Sequence, residues 1–240
     1  MFKRLAIFTS FALLMVFAAA TVEAKAPTSI AYGDVVEGEL TAKVKKIDYT
    51  LTVAKGDIVV LDMRRGKDSE LYSTAIIVND PDGNEVVNTT EDTSANNTVA
   101  GFTADSDGDY TVTATRNNYS DTTGTFELRP TAAKLLQSGD SVKGLVTNDT
   151  ADVYYALPAD TDVKISYAQT TGDYFLYFRI VVLDSKTSAS LSASSTAIKG
   201  IIWTVGLKTE ADYMTLVSVG GNEYDLQHDD ISSKFTLDVE

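Results

Sequence analysis

Cysteine is absent from all 240 residues, and histidine and tryptophan occur once each, as His228 and Trp203. Without cysteine there is no disulfide, thiolate metal site, thiol nucleophile or lipidated cysteine. A single histidine rules out multi-histidine zinc or copper sites. Positive charge is scarce as well: 20 Lys and Arg face 34 Asp and Glu, for a formal charge of −14. That balance excludes nucleic acid and anionic membrane surfaces as partners, because neutralising phosphates takes a basic face. No segment after the first two dozen residues approaches the roughly 18 apolar positions of a membrane span.

The amino terminus reads as an export signal. Lys3 and Arg4 precede an apolar stretch from Leu5 to Ala20, broken only by Thr9 and Ser10. Val22-Glu23-Ala24 offers a small-residue cleavage triplet, with Ala18-Ala19-Ala20 as the alternative. Residues 1–24 are therefore a signal peptide, and the mature chain is expected to be secreted or periplasmic with no membrane span. It must fold on its apolar core alone, which two domains of about a hundred residues can do.

What the sequence does contain is an internal repeat. Gly33-Asp34-Val35-Val36-Glu37-Gly38 returns as Gly139-Asp140-Ser141-Val142-Lys143-Gly144, a GDxVxG pattern 106 positions on. Asp48–Val53 is echoed by Asp152–Leu157, Ile76–Asp80 by Ile180–Asp184, Asp109–Val112 by Asp212–Thr215, and Phe126–Leu128 by Phe235–Leu237. The order is kept, so the chain is a duplication. Pro130 interrupts the pattern and sets the expected modules at 28–130 and 131–240, with a link too short to be a flexible spacer. Each copy reads as short β-branched runs and period-two alternation punctuated by turns, and only 132–137 reads as helical. The fold class is all-β: two tandem antiparallel β-sandwiches, jelly-roll-like, with immunoglobulin-like sandwiches as the alternative.

GDxVxG, then Asp48-Tyr49-Thr50-Leu51-Thr52-Val53 closing at Gly56, then Asp80-Pro81-Asp82-Gly83 and Ser106-Asp107-Gly108-Asp109-Tyr110-Thr111-Val112, resembles the bacterial pre-peptidase C-terminal domain. The resemblance covers about 30–128 well. The second copy departs from it, with Asp160 or Asp162 in place of Gly56 and Ala211 in place of Gly108. It implies a small jelly-roll-like sandwich of exported proteins, here without a preceding peptidase.

Asp80, Asp82 and Asn84 in one turn, and Asp105, Asp107 and Asp109 in another, share a DxDG[DN] pattern. Calcium takes six to eight oxygens, and alternate acidic side chains on a glycine turn can supply several. The same residues also make ordinary hairpin turns. Tyr110 and Tyr213, each two residues after Gly108 or Ala211, fit a tyrosine corner in both copies. His228 belongs to a polar loop, and Arg64-Arg65-Gly66-Lys67 reads as a solvated basic loop or a patch for an acidic partner. Tyr174–Leu183 is apolar on both strand faces. Its outward face, with Tyr174, Phe178 and Val182, needs cover from the first module, from Ile201-Ile202-Trp203, or from another chain. These residues with Trp203 are the candidate partner site. The expected function is a non-catalytic binding or cell-surface structural protein whose partner is an extracellular protein, a glycan or a second copy. The alternative is an accessory module or carboxylate-based hydrolase acting on extracellular polysaccharide or protein. Amino-terminal sequencing of exported protein is expected to start at or near Lys25; recovery of Met1 refutes the signal assignment.

Overall fold

The computed structural model describes residues 27–91, 97–172, 174–184, 201–221, 226 and 229–240, and the backbone of 190–196. The first half supplies β1 (Thr28–Ile30), β2 (Val36–Leu40), β3 (Ile47–Val53), β4 (Ile58–Arg65), β5 (Thr74–Asn79), β6 (Glu85–Asn88), β7 (Thr98–Thr103), β8 (Gly108–Arg116) and β9 (Gly124–Ala132). The second supplies β10 (Lys134–Leu135), β11 (Ser141–Thr147), β12 (Asp152–Ala156), β13 (Asp162–Thr171), β14 (Tyr177–Asp184), β15 (Ser190–Thr196), β16 (Ile202–Lys208), β17 (Tyr213–Gly220) and β18 (Ser232–Val239).

Hydrogen bonding sorts these strands into two pairs of sheets. The first pair runs β1-β3-β8-β5-β6 and β2-β9-β4-β7, the second β10-β12-β17-β14-β15 and β11-β18-β13-β16. The two orders match strand for strand. Pairing is antiparallel except for β1 on β3 and β10 on β12, which are parallel. Within each half, setting aside the short parallel strand, eight strands form two four-stranded sheets in jelly-roll order. An immunoglobulin sandwich keeps its first two strands in one sheet, whereas β2 and β3 lie in opposite sheets, so that alternative is excluded.

The repeated motif has a packing explanation. Gly33 and Gly139 hold the left-handed backbone of the turn, at φ 89° and 91°. One carboxylate oxygen of Asp34 accepts the Ala31 amide at 2.8 Å, and Asp140 accepts that of Gln137 at 3.0 Å. Gly38 pairs with Phe126 across β2–β9, and Gly144 pairs with Phe235 across β11–β18. A Cβ on Gly38 would stand 2.4 Å from the Phe126 ring tip, and one on Gly144 2.1 Å from that of Phe235. Each ring lies over its glycine and closes the sandwich there. Asp160, at φ 50°, takes the left-handed position that Gly56 fills at φ 90°, a conformation aspartate tolerates better than most residues.

Two expectations are corrected. Pro130 does not end a module: it sits inside β9, opposite Leu61 of β4, and β9 runs on to Ala132. Its carbonyl accepts the Gly33 amide at 2.9 Å, on the side where pairing with β2 has already stopped. The ring therefore costs no ladder bond. Residues 132–137 are not helical but finish β9 and form β10. The link between the strand systems is Ala133, itself buried.

Alternation builds the cores. In β18 every second side chain from Ser233 to Val239 is buried. The first core stacks Phe102 on Tyr110 with centroids 5.3 Å apart, and the second stacks Tyr167 on Phe178 at the same distance. Replacing Gly38 or Gly144 by Val is expected to destabilise by about 1–3 kcal/mol, the usual cost of overpacking. Urea unfolding checks this, and a companion Phe126→Ala or Phe235→Ala should recover part of the respective loss.

Candidate functional site

Two features lie where the halves meet: a buried charge seam and an open cleft. The seam starts from Asp62 and Arg64, both in β4, and Asp152 at the start of β12. Arg64 donates to Asp62 at 2.6–3.1 Å and also reaches Asp152. Arg179 donates to Asp152 at 2.7 Å, Ser218 donates to it at 2.8 Å, and Tyr154 donates to Asp62 at 3.0 Å. Each half thus contributes one carboxylate. Asp152 finds room because its cross-strand partner is Gly220, where a Cβ would overlap its carboxylate. Burial alone would lower the Arg64 pKa, but the two carboxylates overcome it and hold the guanidinium charged well above its ordinary range. Burial, then the neighbouring carboxylates, raise the Tyr154 phenol well above its usual value. Arg129 adds a second crossing, donating to the Asn148 carbonyl at 3.2 Å and to that of Asp149. The reading of residues 64–67 as a solvated loop is corrected for Arg64, whose side chain is only 11% exposed in the seam. Arg65 lies over the Tyr72 ring at 5.9 Å.

An apolar layer continues the seam: Val60 and Ala133 pack with Tyr154, Ala156, Val181, Leu183 and Leu216. Gly101 of β7 permits this approach, since a Cβ there would stand 2.8 Å from Leu183 and 3.0 Å from the Met214 sulfur. The parity of β14 differs from expectation. Phe178 and Ile180 point into the second half's own core, and Tyr174 packs against it too, whereas Val181 and Leu183 meet the first half. Most of this apolar run is thus covered within the chain, while Phe175 stays 52% exposed. Val182 is half-buried. Trp203 lies opposite Tyr167 and is 40% exposed, beside Ile202 at 69%.

Beside this layer opens a cleft of about 740 Å³. Ile58, Val86, Phe102, Leu157, Pro158 and Met214 supply apolar lining, and Asp105, Asp184, Asp212 and Tyr213 supply its polar groups. Asp105 sits before β8, Asp184 closes β14, and Asp212 precedes β17. Asp105 and Asp212 have no side-chain hydrogen-bond or ion-pair partner among the described residues.

Tyr213 is not the twin of Tyr110. Thr28 pairs with Tyr49 and Lys134 with Tyr155, which makes Tyr155 the counterpart of Tyr49. Tyr49 faces Val112 and Tyr155 faces Val217, so the place of Tyr110 is taken by Thr215. Tyr110 makes the expected corner, its hydroxyl donating to the Ser106 carbonyl at 3.2 Å. Tyr213 instead faces the cleft, half-exposed. Sequence matching missed it because a two-residue offset hid behind the shared Asp-Tyr pair.

The acidic turns lie side by side, with Pro81 against Gly108. Asp80 accepts the amides of Asp82 and Asn84 at 3.0 and 2.8 Å and the Asn84 side chain at 2.9 Å. These bonds, the side-chain one foremost, lower its pKa. Asp107 accepts the Lys55 amide at 2.8 Å, and Asp109 the Thr52 hydroxyl at 2.7 Å. Among the described residues no three of His, Cys, Asp and Glu gather closely enough to hold a metal ion. Calcium offered to these turns would compete with bonds the turns already make. His228 lies outside the described residues.

No protein-family model and no curated protein matches the chain. Among solved structures it is similar to the pre-peptidase C-terminal domain of collagenase from Bacillus anthracis, at 18% identity over 43% of this chain and 93% of that one, with a TM-score of 0.36. It is also similar to the CBM22-1-CBM22-2 tandem domain of Paenibacillus barcinonensis Xyn10C, at 12% identity over 87% and 91% of the two chains, TM-score 0.29. The ANX2 ectodomain from Arabidopsis thaliana aligns at 8% identity over 85% and 83%, TM-score 0.26. Values this low say nothing about ligand or activity. No helix among the described residues is long and apolar enough to cross a membrane.

Asp152→Ala, which takes from Arg179 its carboxylate and leaves Arg64 with Asp62 alone, is expected to cost about 3–5 kcal/mol in chemical denaturation. Tyr154 sets a pH limit. Its folded pKa lies above the unfolded value of about 10, so its stabilisation is complete below that pH and falls as pH rises beyond it. Melting temperatures from pH 8 to 11 should drop above about pH 10, less steeply in Tyr154→Phe.

Proposed function

We propose that the protein is an exported, non-catalytic binding protein, built of two modules resembling pre-peptidase C-terminal domains, that takes its ligand into the cleft between them. The observation that carries this reading is the cleft itself. Its volume lies within the range of small-molecule and side-chain pockets, its lining is mostly apolar with a few polar groups, and it opens at a domain junction, a frequent place for such sites. The GDxVxG motif supports the module assignment alone, since its residues serve turns and packing.

A second reading rests on Tyr119 and Tyr72. Tyr119 is 70% exposed while its hydroxyl donates to Glu91 at 2.6 Å, and Tyr72 is 49% exposed on the adjoining loop. An aromatic face presented in this way suits stacking on a sugar ring.

Two variants separate the readings. Thr103→Trp places bulk on an exposed cleft residue without touching a core. Thermal-shift screening of soluble peptides and glycan oligomers is expected to yield ligands that stabilise the protein and lose that effect in Thr103→Trp. Hits that survive Thr103→Trp but vanish in Tyr119→Ala would replace the cleft with the tyrosine surface.

A further inference from the structure

The chemistry of the cleft narrows its ligand, on the reading that the cleft is where ligand binds. Its three carboxylates come from both halves and from three separate segments, Asp105 from the first and Asp184 and Asp212 from the second. No Lys, Arg or His is among the described lining residues. Negative groups gathered over an apolar floor repel one another and raise the local concentration of cations, the more so in a concave site on a chain of net charge −14. The floor excludes a small hydrated ion as the best occupant, because Leu135, Ile58, Pro158 and Met214, which keep exposed surface, gain only when apolar surface covers them. Tyr213 adds an aromatic wall, which favours an organic cation over a neutral group of the same size.

We infer that the cleft selects an organic cation on an apolar stem, an ammonium or guanidinium group whose hydrocarbon part lies on the floor between Leu135 and Met214 while the charge rests against Asp105 and Asp212. A basic peptide side chain and a free polyamine share this chemistry.

The test uses fluorescence anisotropy with the purified protein and two labelled tetrapeptides of blocked termini, Leu-Lys-Leu-Lys and Leu-Gln-Leu-Gln, with spermidine as competitor. The lysine peptide should bind about 2- to 25-fold more tightly than the glutamine peptide, two exposed ion pairs each contributing up to about fivefold. That margin should shrink in high salt and in Asp105→Asn/Asp212→Asn, and binding should disappear in Thr103→Trp. Displacement by spermidine near its own binding concentration would assign the site to free amines, and failure to displace would assign it to peptide, both within the inference. Equal binding of the two peptides, lost in Thr103→Trp, overturns the cation preference but leaves the cleft as the binding site. Binding unaffected by Thr103→Trp, or no binding of either peptide or spermidine, overturns the inference. Unaffected binding also removes the cleft reading.

Discussion

The Asp152 carboxylate, shared between Arg64 of one half and Arg179 of the other, is the contact on which the two-module arrangement depends. Taking a carboxylate and two guanidinium groups out of water is costly, and the cost is recovered only where every partner is in place. Asp62 balances the second guanidinium, Tyr154 and Ser218 fill remaining acceptor positions, and Gly220 clears the space. Removing either carboxylate leaves a guanidinium short of its partner in the seam. Such a network need not add much stability over a greasy interface of equal area. It does specify a single docking geometry, since a slip of either sheet would strand a charge. The apolar layer of Val60, Val181, Leu183 and Leu216 has no such selectivity.

The cleft is a consequence of that geometry. The seam and the apolar layer hold the halves together, and the space lined by Phe102 and Leu157 opens where Gly101 and Met214 meet beside that layer. Sequence duplication supplied two similar modules, but the cleft is built from their unlike parts. The first half offers Gly101, Phe102 and Asp105; the second offers Leu157, Asp212 and Tyr213. Tyr213 faces the cleft because the Asp-Tyr pair falls two residues earlier along β17 than along β8, so the corner role stays with Tyr110 alone.

The fold was largely legible in the sequence because its signals are local. A turn glycine, an aspartate cap and a glycine facing a phenylalanine are dictated over a few residues and recur in both copies. The junction was not legible, for three physical reasons. Arg64 carries a charge, and a charge next to two other basic residues reads as solvated unless its distant partner, Asp152, is known. Tyr174–Leu183 is apolar on both faces, so alternation gives no parity, and Phe178 could not be told from Val181. Pro130 reads as a breaker, and only the end of β2 beside it explains why a strand tolerates it there. Of the site residues, Asp105 was visible as part of a turn, while Asp212 and Tyr213 were masked by a motif match in the wrong register.

Ala133 alone joins the two strand systems, and it is buried against both. A hinge needs residues free to change their backbone angles, and here there are none to spare. The walls of the cleft therefore cannot close on a ligand as the lobes of a clamshell do. On the proposed reading, recognition rests on a width set when the chain folds, so little entropy is lost in ordering the protein around its guest. A preformed slot of this kind discriminates by shape at first contact, and carries no signal from one module to the other by their relative rotation.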